Sequence, residues 1–229
     1  PSERVFANEA SHDEPHVLRP LAQTPHEIRE PLGAEWHVDT EGMALARQFA
    51  GSSTSRTLRF VAFANEEPPF FQTQDMGSLV YARRSRHRNE NIILMFSLET
   101  IGYYTEAPNS QRYPLPLSLI YPSTGNFIGF VSNLANSDWV QRAVGNFRQH
   151  TRFPSEGAAL FGWLPGVGWS DHWAFWQEGF PAIMVTDTAL FRDPYYHTAK
   201  DMPDHIQYDH LARVTAGLRQ VIEDIANKP

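Results

Sequence analysis

Two adjacent carboxylates, Glu66 and Glu67, follow directly on the apolar stretch Phe60-Val61-Ala62-Phe63-Ala64. Like charges side by side repel unless a cation or a shared proton compensates them. A metal ion bound to one carboxylate, with its neighbour free to act as a base, fits that arrangement. A solvated surface pair is the plainer alternative, since carboxylates are rarely buried unpaired. Another carboxylate, Glu99, ends a second apolar stretch, Asn91 to Leu98. Imidazoles stand in His37-Val38-Asp39, in Ser170-Asp171-His172 and in Tyr196-His197-Thr198, the last with Asp201 close behind. The chain has no cysteine, which excludes disulfides and thiolate metal sites, so any metal must rest on His, Asp and Glu.

The elements needed to hold such groups can be traced by periodicity. Leu58 to Ala64 and Asn91 to Leu98 read as buried strands, each running into acid. In open α/β sheets ligands bind beyond the carboxyl ends of the strands, so two strand ends can deliver Glu67 and Glu99 to one crevice. Ala182 to Thr186 reads as a short buried strand and Leu115 to Tyr121 as another strand, bounded by Pro114 and Pro122. Phe153 to Gly168 reads as a Gly- and Pro-rich loop. Helical spacing runs over Glu41 to Ala50 and over Asp75 to Arg88, where Met76, Leu79, Val80 and Ala82 supply the apolar side. It returns over Trp139 to His150 and over His205 to Ala226. Alternating strands and helices predict a single α/β domain over 37–229, with a mostly parallel central sheet flanked by helices on both faces. Residues 1–36, interrupted by Pro1, Pro15, Pro20, Pro25 and Pro31, read as an irregular N-terminal arm.

The 229 residues are 41% hydrophobic and 20% charged, an ordinary globular composition with room for one sizeable core. A formal charge of −7 argues against nucleic acid as a partner. The basic run Arg83 to Arg88 reads instead as the last turn of a helix, where positive charge suits the helix dipole. No apolar run approaches the roughly 20 residues that span a bilayer, so no membrane insertion is expected. The aromatic group Trp163, Trp169, Trp173, Phe175 and Trp176 reads as core, with one or two members lining a pocket for an apolar side chain. Nothing here speaks to oligomeric state.

In their order and spacing, these segments resemble the zinc-dependent aminopeptidase family, which includes bacterial leucyl-type aminopeptidases and glutaminyl cyclases. The resemblance covers roughly residues 56–226 and is carried by Thr57 to Phe71, Met76-Gly77-Ser78, Ser97 to Tyr104, Trp169 to Trp176 and Tyr196 to Asp201. It implies a zinc-exopeptidase-like fold, a peptide substrate and two zinc ions. Glu66 matches the general base. Glu67 and His197 match ligands of one zinc, and His37 and Glu99 match ligands of the other, with Glu99 standing where many members have Asp. Asp39 matches the acid that fixes a ligand ring, a role that raises the ring's basicity. Asp171, His172 and Asp201 match neighbours that support the site. Zinc takes such ligands and lowers the pKa of bound water to about 7. Many bacterial members act outside the cytoplasm, so the resemblance also implies a secreted or periplasmic protein.

The chain departs from the family after His37-Val38-Asp39. Members carry there a Gly- and Asn-rich loop whose Asp bridges the two zincs, whereas Thr40 here leads straight into Glu41-Gly42-Met43. Three readings stay open: removal of N-terminal residues from peptides by zinc-activated water, impaired by loss of the bridging Asp or rearranged around Glu41 or Asp39; a glutaminyl-cyclase-like acyl transfer; and an inactive peptide-binding domain, the zinc count falling from the expected two to one or none.

Overall fold

The computed structural model describes residues 40–227. Four strands form its sheet: β1 (Met95–Glu99), β2 (Ile128–Asn133), β3 (Ser155–Leu160) and β4 (Ala182–Thr186), in the order β1-β4-β2-β3. β1 and β4 are parallel, as are β2 and β3, while the central β4–β2 pair is antiparallel. Five α-helices accompany it: α1 (Thr40–Gln48), α2 (Gly77–His87), α3 (Ser137–His150), α4 (His172–Gln177) and α5 (Tyr208–Asn227).

Side chains alternate between the two faces of a strand, so each strand divides its residues between two layers. On one face Phe96, Leu98, Ile128, Phe130, Ile183 and Val185 join Val140, Val144 and Phe147 of α3 and Val214, Leu218 and Val221 of α5 in the main core. Full burial, as at Phe130, Phe147 and Leu218, contributes roughly 1.5–3 kcal/mol for each side chain, and less at the partly covered Phe96 and Leu98. Gly217 permits the contact, because a Cβ there would lie 2.4 Å from the Phe147 ring. On the opposite face, Met95 and Ala182 pack with Phe175 and Phe180 beneath α2 and α4. Helices therefore cover both faces, as the sequence predicts. The run Arg83 to Arg88 does close a helix, with Arg83 paired to Glu178 at 3.3 Å and Arg86 over the Phe180 ring.

Several expectations need correction. Leu58 to Ala64 is not a buried strand: it carries a single bridge residue, Val61, and alternates half-buried with exposed positions. Its aromatic residues divide, Phe60 meeting Phe49 and Phe63 meeting Tyr81, so the segment lies along the body instead of inside it. Leu115 to Tyr121 is not a strand either but a 3-10 turn over Leu117–Leu119, leaving Leu115, Leu119 and Ile120 exposed. Pro114, Pro116 and Pro122 have no N–H to give a ladder, which explains the failure. The loop read over Phe153 to Gly168 contains β3. Val80 of α2 faces solvent, although Met76, Leu79 and Ala82 are buried as expected. His37 and Asp39 lie outside the described residues. No helix among the described residues is long and apolar enough to cross a membrane.

Candidate active site

Glu99 is the last residue of β1 and shares its face with Met95 and Ser97. Ser97 and Ser170 meet through their buried hydroxyls at 2.8 Å, and Ser170 in turn donates to the Glu99 carboxylate. Burial pushes Glu99 up to about 7, against the Ser170 bond and with help from the charges of Asp171, Glu67 and Asp187. Glu66 and Glu67 sit on the turn ahead of α2. Gly77 donates its N–H to the Ala64 carbonyl at 2.9 Å, and Asn65 donates to the Asp75 carbonyl at 3.1 Å. The approach at Gly77 is too close for a side chain, since a Cβ would lie 2.5 Å from that carbonyl oxygen. Glu66 is pushed up to about 9, first by burial and then by Glu99, Asp171 and Glu67. Four carboxylates thus crowd one region, and no cation among the described residues neutralises them all.

His197 reaches this cluster from the loop between β4 and α5. Its Nε2 lies 3.3 Å from Glu67 Oε1, both side chains being open to solvent at the mouth of the cleft. Two ligands on one tetrahedral zinc, with bonds of about 2.0–2.2 Å, stand about 3.3–3.5 Å apart, so the pair has a separation that zinc accepts. The His197 backbone is left-handed, at φ 57°, and Asp201 accepts its N–H at 3.3 Å, closing the turn. Among the described residues no three His, Asp or Glu side chains already converge on one point. The donor chemistry and the crowding of like charge fit a cation, with Glu67 and His197 facing each other and Glu99 electrostatically coupled to Glu67.

His172 is placed differently from Asp171. Its ring is fully buried, bonded through Nε2 to the Val167 carbonyl at 2.8 Å and edge-on to Trp176, and burial lowers it to about 4. It braces the loop beneath which it packs. Asp171 belongs to the charge cluster through its influence on Glu66 and Glu99.

Tyr196 precedes His197 in the chain, and its residue type alone marks it for no role. Its ring stacks on His197 with centroids 4.0 Å apart. Burial, followed by Glu99, Glu67 and Glu66, raises its phenol well above the usual range, so it keeps its proton. Tyr196 and Glu99 also line an apolar cavity of about 100 Å³ on the sheet face opposite the main core. The register row Glu99, Thr186, Gly129, Glu156 crosses this side of the sheet, and Phe127, Met184 and Trp169 contribute walls.

The model of peptidase family M28 matches residues 42–222, most of the chain. The chain belongs to peptidase family M28. A relative in Escherichia coli (strain K12), the uncharacterized protein YfbL, is 37% identical over 177 residues, which make up 77% of this chain and 54% of the relative. LapA of Legionella superposes with a TM-score of 0.61 at 18% identity, over 82% of this chain and 46% of LapA. BSAP, a zinc aminopeptidase from Bacillus subtilis, superposes at 0.58 and 18% identity, over 83% of this chain and 41% of BSAP. These superpositions show that this M28 chain has the fold of those proteins. The chain spans about half the length of the relatives it matches.

Proposed function

We propose that this M28 domain is a zinc-dependent exopeptidase of the aminopeptidase type, removing N-terminal residues from peptides. The observation that carries the reading is the facing pair Glu67–His197 beside the uncompensated carboxylates Glu66 and Glu99. Zinc bound there supplies Lewis acidity, polarising a peptide carbonyl and easing the ionisation of water. Glu67, His197 and Glu99 are the residues that would hold it. A cation held beside it would offset the burial and like charge that raise Glu66 to about 9, so that the ionised carboxylate could take a proton from the attacking water and pass it to the leaving amine. Tyr196 holds a phenolic proton where it can donate to the oxygen on which negative charge develops. The apolar cavity beside Tyr196 receives the side chain of the first residue and keeps water from it.

The test uses the purified chain, stripped with a chelator and assayed on Leu-, Phe-, Lys- and Gln-initiated peptides before and after zinc is restored. Zinc-dependent release of the apolar first residues is expected. Ring closure of the Gln peptide without release would make the domain a cyclase. The lack of three preconverged donors among the described residues favours one competing reading, an inactive peptide-binding domain. A chain that stays metal-free in excess zinc yet binds these peptides would establish it.

A further inference from the structure

Asp187 follows β4 directly, takes no part in the chemistry above and is 1% exposed. Its Oδ2 accepts the N–H groups of Gly102 at 2.9 Å and Tyr103 at 2.7 Å, while its Oδ1 accepts that of Ala189 at 2.9 Å. Its own N–H donates to the Thr100 carbonyl at 2.7 Å. One side chain is therefore bonded to two turns. The first leaves β1 immediately behind Glu99; the second leaves β4 and runs on to Tyr195, Tyr196 and His197.

Both turns hold unfavourable backbone. Thr100 at φ 44°, Thr188 at 78° and Ala189 at 39° are all left-handed, and none is glycine. Such conformations persist only where the surroundings over-determine them, and they gather at functional sites. The Asp187 carboxylate holds Ala189 and its backbone N–H holds Thr100, while Thr186 and Gln111 hold Thr188. Arg192 backs the carboxylate electrostatically: its Nε donates to Gln111 at 2.8 Å, its Nη1 to the Tyr103 carbonyl at 3.2 Å, and its guanidinium lies over the Phe127 ring. If Asp187 served burial alone, an apolar residue would fill the space with no charge to desolvate. The amides it collects belong to the two segments that carry candidate zinc ligands.

We propose that Asp187 is a positioning residue of the metal site: its carboxylate locks the turn behind Glu99 to the turn that leads to His197, and so sets the reach of both side chains toward one cation. The inference rests on the metallopeptidase reading above.

Asp187→Asn tests it, since Asn keeps the volume but turns an NH2 group toward amides that also donate. Zinc affinity by calorimetry, and the visible spectrum of the cobalt(II)-loaded chain, are compared with the unaltered chain at equal folded fraction. A fall in zinc affinity of about 10–100-fold, the range seen when groups that orient ligands are removed, is expected with a changed cobalt spectrum. Peptidase kcat should fall while KM stays nearly constant. A variant that melts earlier but keeps its zinc affinity and cobalt spectrum would leave Asp187 a purely structural role and overturn the proposal. Should the variant not fold, Arg192→Lys keeps Asp187 and loosens its backing together with the bonds to Gln111 and the Tyr103 carbonyl. A drop in zinc affinity of about threefold or more supports the proposal there, and no change overturns it. An unaltered chain that takes up no zinc would instead overturn the metallopeptidase reading, and this inference with it.

Discussion

Glu66 and Glu67 are neighbours in the chain but face different surroundings. Glu67 opens to the cleft mouth opposite His197, whereas Glu66 is withdrawn among Glu99, Asp171 and Glu67. Glu66→Gln preserves shape and removes the base, so turnover should fall by about 10²–10⁴-fold while zinc affinity changes little. A matching loss of zinc would reassign Glu66 as a ligand. His172 supplies an independent pH prediction. Its folded value, about 4, lies below the usual 6.5, so between those values the unfolded chain binds the proton more readily. The stability owed to its neutral ring is complete above pH 6.5 and is lost as pH falls toward 4, on the order of 3 kcal/mol in all. Asp187, raised to about 6 by burial, acts with the opposite sign and is present in both proteins of a comparison. The unfolding free energy of His172→Phe should therefore decline less than that of the unaltered chain from pH 6.5 to 4. Parallel curves would count against a buried neutral imidazole. The grouping of Glu66, Glu67, Glu99 and His197 was legible in the sequence because each ends an apolar run or stands in a recognisable motif. Asp187 was not, because its partners are backbone amides 84, 85 and 2 residues away, which leave no mark in residue type.

The helix α2 and the acidic turn meet through Gly77, and that contact can be tested against a helical glycine with free space around it. Gly77→Ala forces a Cβ against the Ala64 carbonyl and strains the bond that anchors the turn. Overpacking of this kind costs about 1–3 kcal/mol, and the displaced Glu66 and Glu67 should lower kcat as well. Gly145, inside α3, has nothing within 4 Å of its missing Cβ. Gly145→Ala should then stabilise by about 0.5–1 kcal/mol, with activity unchanged. Denaturant midpoints for the two variants moving in the same direction would refute the contrast. The same close approaches explain which elements could be read. α3, α5 and β4 announce themselves by periodic or continuous apolar residues. β3 does not, because its Gly157 lies under Val140 and Val144 of α3, where small side chains are required and the usual strand composition is absent. Leu58 to Ala64 misled in the opposite way: Val and Phe at a half-covered edge look like Val and Phe inside a sheet.

Across the molecule, the decisive quantity is how many cations the cleft can hold. Two dications about 3.5–4 Å apart repel strongly unless a carboxylate bridges them. Of the donors the family pattern assigns to such a pair, Glu67, Glu99 and His197 lie within the described fold, His37 lies outside it, and no Asp stands between Thr40 and Met43, where Glu41 is the one carboxylate. Catalytic zinc ordinarily takes three protein ligands, and Glu67, His197 and Glu99 can supply that number once. The expectation is one zinc ion per chain at most, weakly held, with slow peptidase turnover. Calorimetry and elemental analysis of the 229-residue chain measure this directly. Two tightly bound ions would require a second set of donors, and His37→Ala together with Asp39→Ala would then show whether they come from outside the described residues. If one ion is found, an Asp-bearing loop inserted between Thr40 and Met43, ahead of most of α1, should raise affinity and turnover together, because the bridging charge is what the second ion lacks. Turnover rising without a second ion would place the defect in substrate binding instead of in the metal centre.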